Sequence, residues 1–359
     1  MIIINSIDQL YNFEKTSVAL GNFDGLHIGH RKIMEDAINS AKSSGFKSLC
    51  FTFSNHPFNF IMRREDSDPD ALKLICNEDE KVRLIKEMGF DILVNIPFDE
   101  HIMTMKAEDF FTVIIINKLN AGCVSAGFNY SYGARAGGNA ETLRDECAKS
   151  GIDVNIHDAV RVENKVVSST LIREMIKMGN MELTARYLGR PYAFKGTVSH
   201  GKRLGSAMGI PTVNIPAPTD IMLPPNGVYF SRILIDGTEY NSVSNIGVRP
   251  TVADVENATS ETEREMSESD NNKLKDSINT IGKVGGNTTG GNSDSKNIKN
   301  IETNIFDFSG DLYDKDIVVY FDHFSRAEVK FDSKDELFKQ IEEDRFNAVT
   351  YRKQISGGL

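Results

Sequence analysis

The chain has 359 residues, room for about two domains at ~150 residues each. Its 41 Lys and Arg against 51 Asp and Glu leave a net charge of −10, which excludes a protein whose main task is gripping a nucleic-acid backbone or an anionic membrane surface. Hydrophobic residues at 40% and aromatics at 9% fit a soluble globular class, while a mean hydropathy of −0.31 points to a polar stretch somewhere in the chain. Cys50, Cys76, Cys123 and Cys147 include no close pair, so neither a zinc knuckle nor a redox Cys-x-x-Cys is expected, and a reduced, cytoplasmic compartment is. The N-terminus lacks the basic and apolar regions of a signal peptide, and no run of ~18 apolar residues marks a membrane span.

From residue 16 to about 160, short β-branched runs alternate with helical periodicity, as in a doubly wound α/β domain. Val18-Ala19-Leu20 predicts a strand. It leads through Gly21-Asn22-Phe23-Asp24-Gly25 into a helix with Ile33, Met34, Ala37, Ile38 and Ala41 on one face, ended by Gly45. Further strands are predicted at Ser48 to Phe53, Asp91 to Ile96, Cys123 to Ala126 and Val154 to Ile156, and helices at Asn77 to Met88, Ala107 to Leu119 and Thr142 to Lys149. Crossover helices between strands imply a parallel sheet.

Helices are predicted next at Ser169 to Met178 and Met181 to Leu188, before the pattern changes at Gly189-Arg190-Pro191. Strands then read at Phe194 to Val198, Gly227 to Ile235, Tyr240 to Ile246, Ile301 to Phe308 and Ile317 to Phe321, separated by Gly, Pro and Asp turns. An antiparallel barrel is expected, with a helix over Lys334 to Phe346 packed against it. The 48 residues 253–300 contain no aromatic, and 24 of them are Ser, Thr, Asn or Gly. Such a segment buries too little apolar surface to offset its ordering entropy and is expected to be a disordered insert.

Gly21 to His30, Gly-Asn-Phe-Asp-Gly-Leu-His-Ile-Gly-His, falls at a strand-to-helix junction, where backbone N–H groups and the positive helix end favour phosphate. His27 and His30 share a helical face and can both donate to one triphosphate. The alternative reading of the same residues is a capping turn with two surface histidines. Neither G-x-x-x-x-G-K-[ST] nor G-x-G-x-x-G occurs, so another class of nucleotide chemistry is implied. Ser168-Ser169-Thr170, at a predicted helix start, offers hydroxyls and free N–H groups to an anion, with Arg173 one turn on. Farther along, His200-Gly201-Lys202-Arg203-Leu204-Gly205-Ser206-Ala207-Met208-Gly209 combines glycines with two cations, a loop suited to nucleotide phosphates. Thr212 and Asn214, two apart on an extended segment, face one side and offer hard oxygens for Mg²⁺.

The ten residues Gly21 to His30 resemble the HxGH signature of nucleotidylyltransferases, in the form found in the prokaryotic bifunctional riboflavin kinase/FMN adenylyltransferase family, also called FAD synthetase. The resemblance continues in Thr52-Phe53-Ser54-Asn55-His56-Pro57, Gly127-Phe128-Asn129-Tyr130-Ser131-Tyr132-Gly133, Ser168-Ser169-Thr170-Leu171-Ile172-Arg173 and Tyr187-Leu188-Gly189-Arg190-Pro191-Tyr192. In the second half it runs through Pro211-Thr212-Val213-Asn214, Leu223 to Tyr229, Asn245 to Thr251, Glu302 to Phe308 and Phe331 to Asp344. It implies an α/β nucleotidylyltransferase domain (1–186) with a Rossmann-like parallel sheet, then an antiparallel β-barrel riboflavin kinase domain (187–359) with a C-terminal helix, interrupted by the insert.

The implied activities are ATP-dependent phosphorylation of riboflavin to FMN and adenylylation of FMN to FAD. A monofunctional adenylyltransferase with a compromised barrel and a non-catalytic flavin- or nucleotide-sensing protein are the alternatives. On the adenylyltransferase side the resemblance assigns Gly21, Phe23, Asp24, Gly25, His27, His30, Ser168, Ser169, Thr170 and Arg173 to ATP, with His27 and His30 catalytic, and Asn55, His56, Phe128 and Asn129 to flavin. On the kinase side it assigns Gly201, Lys202, Arg203, Gly205, Gly209 and Thr212 to ATP, Thr212 and Asn214 to Mg²⁺, Arg326 to flavin and Glu302 to the base. Asp314 stands where the family usually has Gly, in a turn that needs positive φ, which Asp tolerates better than most residues. The implied partners are small molecules only, with no nucleic acid or membrane.

Overall fold

The computed structural model describes residues 1–10, 13–64, 71–199, 212–248 and 299–356. The first half is built on β1 (Ile2–Ile4), β2 (Thr16–Leu20), β3 (Lys47–Phe53), β4 (Ile92–Ile96) and β5 (Ala121–Gly127). A two-residue ladder of β6 (Ser131–Tyr132) with β7 (Gly138–Asn139) follows, then β8 (Asp153–His157) and a second small ladder, β9 (Arg161–Val162) with β10 (Lys165–Val166). The main sheet has the order β1-β4-β3-β2-β5-β8, and every pairing is parallel. Strands β2, β4 and β5 are buried along their whole length, as central strands covered on both faces must be. The edge strand β1 escapes sequence reading because three residues carry no period; only pairing of Ile2 with Ile92 and Ile4 with Val94 defines it.

The helix Ile28–Ser44 buries Ile33, Met34, Ala37, Ile38 and Ala41, the face expected from spacing. Gly45, at φ 69°, ends it by donating its N–H to the Ala41 carbonyl. The stretch predicted as one helix from Ala107 begins as α-helix at Ala107–Asp109 and continues as a π-helix over Phe110–Lys118. Its wider turn gathers Phe110, Phe111, Ile114 and Ile115 into the core. The chain runs outward from β2 through β3 to β4, then crosses back to β5 and β8 on the other side of β2. The crevice at the carboxyl ends of β2 and β5 is therefore the topological switch point, where α/β sheets bind ligands.

Helices Ser169–Lys177 and Met181–Leu188 precede six antiparallel strands: β11 (Tyr192–Thr197), β12 (Thr212–Pro216), β13 (Gly227–Ile235), β14 (Thr238–Val248), β15 (Lys299–Ile305) and β16 (Asp316–Arg326). Their order is β11-β16-β13-β14-β15-β12, and a bridge in which the Ser199 N–H donates to the Asn214 carbonyl (2.8 Å) joins the two ends of the sheet. The inward face carries Val213, Ile215, Tyr229, Ile233, Ile301 and Ile305, with the buried hydroxyls of Ser231, Ser242, Ser244 and Thr303 bonded to one another. Ile172, Ile176, Met181 and Leu188 belong to this same apolar cluster. Leu74 ties the halves together: its N–H donates to the Asp220 carbonyl and its carbonyl accepts from the Met222 N–H, both at 2.8 Å. The C-terminal helix runs over Lys334–Ser356, ten residues beyond its predicted end at 346, and seats Ala348 against Phe230 and Phe306.

The insert expected over 253–300 is shorter at its C-terminal end. Lys299 and Asn300 begin β15, paired with Val248 and Gly247, and Asn300 also pairs with Pro216, so backbone pairing draws these polar residues into the sheet. Residues 253–298 lie outside the described residues, as does the Gly201 to Gly209 loop. Asp314 adopts φ 61°, the left-handed turn expected there. All four cysteines are buried and unpaired.

Candidate functional site

After Leu20 the chain leaves β2 through a turn in which three residues take positive φ: Phe23 at 52°, Gly25 at 76° and Leu26 at 41°. A Cβ on Gly25 would lie 2.8 Å from Ile75, so glycine is required by both conformation and space. His27 caps the following helix, its Nδ1 accepting from the His30 N–H at 3.2 Å. That bond leaves Nε2 to carry the proton as donor. The His27 and His30 rings stack at 3.5 Å with an interplanar angle of 18°, and His30 meets the edge of Phe23. Burial lowers the His27 pKa to about 4 and takes His30 well below its ordinary value, the neighbouring His27 adding to the effect. Both imidazoles are therefore neutral at pH 7 and act as hydrogen-bonding groups, not as fixed positive charges. Among the described residues the buried Nδ1 of His30 has no hydrogen-bond partner.

The predicted anion residues of the Ser168 helix converge on the same loop. Ser168 caps its helix through the Leu171 N–H (3.2 Å), Ser169 donates to the Asp24 carbonyl (3.0 Å), and Thr170 is exposed. Asp24 is buried; its Oδ1 accepts from the Ile75 N–H at 3.0 Å and its Oδ2 pairs with Arg173. Arg173 also donates from Nε to the Lys73 carbonyl at 2.7 Å. Burial raises the Asp24 pKa and the Arg173 guanidinium opposes that rise. Arg173 is thus held by the protein at the edge of the site and is not a free cation.

Two residues that sequence reasoning did not assign also lie here. Arg190, in the Gly-Arg-Pro junction, donates to the Leu26 carbonyl at 3.3 Å and supports the strained turn beside His27. Lys81 is buried and lines the pocket formed with Asn22, Asp24, Asn55 and His56. Its signal in the sequence is a lysine one turn before Ile85 on the inward face of a helix.

On the predicted flavin side, Asn55 is tied at both ends of its amide to the Phe98 backbone, donating at 2.9 Å and accepting at 2.6 Å, so it positions a loop. His56 accepts from the Phe58 N–H at 3.2 Å and is lowered to about 4 by burial, with Arg173 and Lys81 contributing. Phe128 is 50% exposed at the carboxyl end of β5, next to exposed Asn129, whereas Tyr130 stacks on Tyr132 instead of offering a free face.

In the barrel, Thr212 and Asn214 share the outward face of β12, with Val213 and Ile215 inward. Asn214 stands opposite Glu302, and Glu302 opposite Asn245 on β14, placing Asn214, Glu302 and Asn245 in one row. Asn300 donates to Asn214 Oδ1 at 2.7 Å, and Asn245 donates to Glu328 at 3.1 Å. Arg326 forms a two-pronged pair with Asp344 of the C-terminal helix, at 3.0 and 2.7 Å, and so anchors that helix. Gly201, Lys202, Arg203, Gly205 and Gly209 lie outside the described residues.

Residues 10–171 match the FAD synthetase family, and residues 188–269 and 267–351 match the riboflavin kinase family. The bifunctional riboflavin kinase/FMN adenylyltransferase of Bacillus subtilis (strain 168) is 30% identical over 94% of this chain and 92% of its own length. The protein of the same description from Escherichia coli (strain K12) is 26% identical over 92% and 91%. A crystal structure described as a macrolide-efflux protein from Streptococcus pneumoniae has a TM-score of 0.76 and 27% identity, over 96% of this chain and 97% of that one. Among the described residues of this chain, no helix is long and apolar enough to cross a membrane. With both domain families matched in order, and a relative 30% identical over nearly all of its length, the chain belongs to the bifunctional riboflavin kinase/FMN adenylyltransferase family.

Proposed function

We propose that the chain phosphorylates riboflavin to FMN and then adenylylates FMN to FAD, using two sites divided near residue 186. The observation that carries this reading is the presence, in one chain, of the stacked His27–His30 pair at the switch point and the Asn214–Glu302–Asn245 row on the barrel. In the barrel, the ribityl hydroxyl oxygen attacks the γ-phosphorus of ATP. Its proton passes to Glu302 and ADP leaves. Phosphoryl transfer needs mainly alignment and charge neutralisation, so an exposed carboxylate on a rigid strand suffices to orient the hydroxyl.

At the switch point, a phosphate oxygen of FMN attacks the α-phosphorus of ATP, the bond to the β-phosphate bridging oxygen breaks, and pyrophosphate leaves. Neutral His27 and His30 donate to the phosphates beside the helix N-terminus, and no covalent enzyme intermediate forms. Asp24 and Arg190 hold the loop in its strained shape.

Mg²⁺ fits the barrel by donor chemistry: Thr212 and Asn214 present hard oxygens on one face, and Asn300 already orients the Asn214 amide. Bound there, the ion would neutralise phosphate charge. Four buried unpaired cysteines favour the cytoplasm as the working compartment. Incubation with riboflavin, ATP and Mg²⁺, followed by chromatographic separation of flavins, tests the reading. FMN and FAD are expected; FAD from FMN alone would leave a monofunctional adenylyltransferase, and binding without any product would leave a sensor.

A further inference from the structure

The adenylyl-transfer reading leaves one buried cation without a task. Lys81, 8% exposed in the first turns of helix Glu78–Met88, donates from Nζ to the Phe53 carbonyl at 2.5 Å. An ammonium has three donors, and among the described residues Lys81 forms no ion pair. Of the nearby carboxylates, Asp24 pairs with Arg173 and accepts from Ile75, while Glu78 accepts from the neutral Asn95 amide at 2.8 Å; neither forms an ion pair with Lys81. Asn22, Asp24, His56 and Glu78 line the same pocket as Lys81.

Burial lowers the Lys81 pKa, opposed in part by the Asp24 and Glu78 carboxylates, so an anion reaching its free donors would favour the charged form further. Both substrates bring phosphate to this crevice, the triphosphate of ATP and the single 5′-phosphate of FMN. The side chain of His56, from the loop after β3, lies within the influence of both Lys81 and Arg173, whereas His27 in the HxGH loop has Arg190 as its cationic neighbour. Asn22 and Asp24 of the HxGH turn and Asn55 and His56 of the loop after β3 line this pocket together, and the Lys81 ammonium sits at that junction.

We propose that Lys81 binds the 5′-phosphate of FMN, the attacking group, and so sets the specificity of this site for a phosphorylated flavin; the inference rests on the adenylyl-transfer reading. Loss of a charge-assisted hydrogen bond to a phosphate should weaken binding about 10- to 100-fold.

The test measures FAD formation from FMN and ATP by the full chain, with lumiflavin, which has the isoalloxazine ring but no ribityl phosphate, as competitive inhibitor. Lys81→Gln keeps a donor for the Phe53 carbonyl and removes the charge. It should raise KM for FMN about 10- to 100-fold while KM for ATP and inhibition by lumiflavin stay within about twofold, and Lys81→Arg should recover part of the loss. An unchanged KM for FMN, or a rise confined to ATP, overturns the assignment. A parallel loss of FMN, ATP and lumiflavin affinity in both variants, with a lowered melting temperature, also overturns it by making Lys81 structural. Absence of FAD formation in the unmodified protein would instead sink the adenylyl-transfer reading itself.

Discussion

Asp24 and Arg173, 149 residues apart in the chain, meet as a buried ion pair beneath the HxGH loop. Through it the loop after β2, the helix that starts at Ser169 and the segment Lys73–Ile75 become one unit, because Arg173 also holds the Lys73 carbonyl and Asp24 the Ile75 N–H. Leu74, in the middle of that segment, pairs with the barrel at Asp220 and Met222. The nucleotide loop is thus braced against the second half of the molecule.

Asp24→Asn keeps the shape and the acceptor for Ile75 but leaves Arg173 buried without a counter-charge. Breaking such a pair costs about 3–5 kcal/mol, so a large drop in the denaturant midpoint is expected. A change below about 1 kcal/mol would mean that the pair contributes no more than an exposed one.

His30→Ala removes a ring stacked on His27 in the phosphate loop. FAD formation from FMN should fall about 100-fold while FMN formation from riboflavin is spared. Equal loss of both activities would point to misfolding.

The buried His27 has its pKa lowered from 6.5 to about 4 in the folded protein. Between those values the unfolded chain takes up a proton that the folded chain refuses, so stability is full above pH 6.5 and declines as pH falls toward 4. The His27 share of that decline is about 3 kcal/mol. His27→Asn preserves a capping acceptor without a titrating ring, and its stability, measured by urea unfolding at pH 7 and pH 4.5, should fall less with acid than that of the unmodified protein. Identical pH slopes would refute the assignment to His27.

In the barrel, Asn214→Ala removes one proposed metal ligand and the acceptor of the Asn300 amide. FMN formation should fall by about 100-fold or more, with FAD synthesis from supplied FMN unchanged. A variant that still phosphorylates riboflavin at the normal rate would remove Asn214 from the kinase site.

Deletion of 253–298, stopping short of Lys299 so that β15 keeps its pairing with β14, should leave FAD formation from FMN unaltered. Steady-state rates on FMN and ATP decide this, and a large drop would give the segment a part in adenylyl transfer.

Much of the fold was legible locally. The inward face of helix Ile28–Ser44 came from spacing alone, Gly45 ended it as glycine ends helices, and the strand–helix alternation announced a parallel sheet. Periodicity and turn chemistry report what a residue needs from its immediate neighbours, and those needs were met. The edge strand β1, the π-helical stretch Phe110–Lys118 and the first residues of β15 were not legible, because each is defined by partners distant in sequence.

For the site, the sequence by itself determined the types of groups present: two histidines at a strand-to-helix junction, a capped helix start, and Thr and Asn on one strand face. Only the tertiary structure decided what those groups are free to do. Burial makes the two histidines neutral, the Asp24 carboxylate takes up Arg173, the Phe98 backbone takes up the Asn55 amide, and Asp344 takes up Arg326. The same burial brings Arg190 and Lys81, neither of them assigned to a site from the linear chain, to the phosphate loop and its pocket. Charge and hydrogen-bonding capacity belong to a residue type, but whether they remain available depends on desolvation and on the partners that folding delivers.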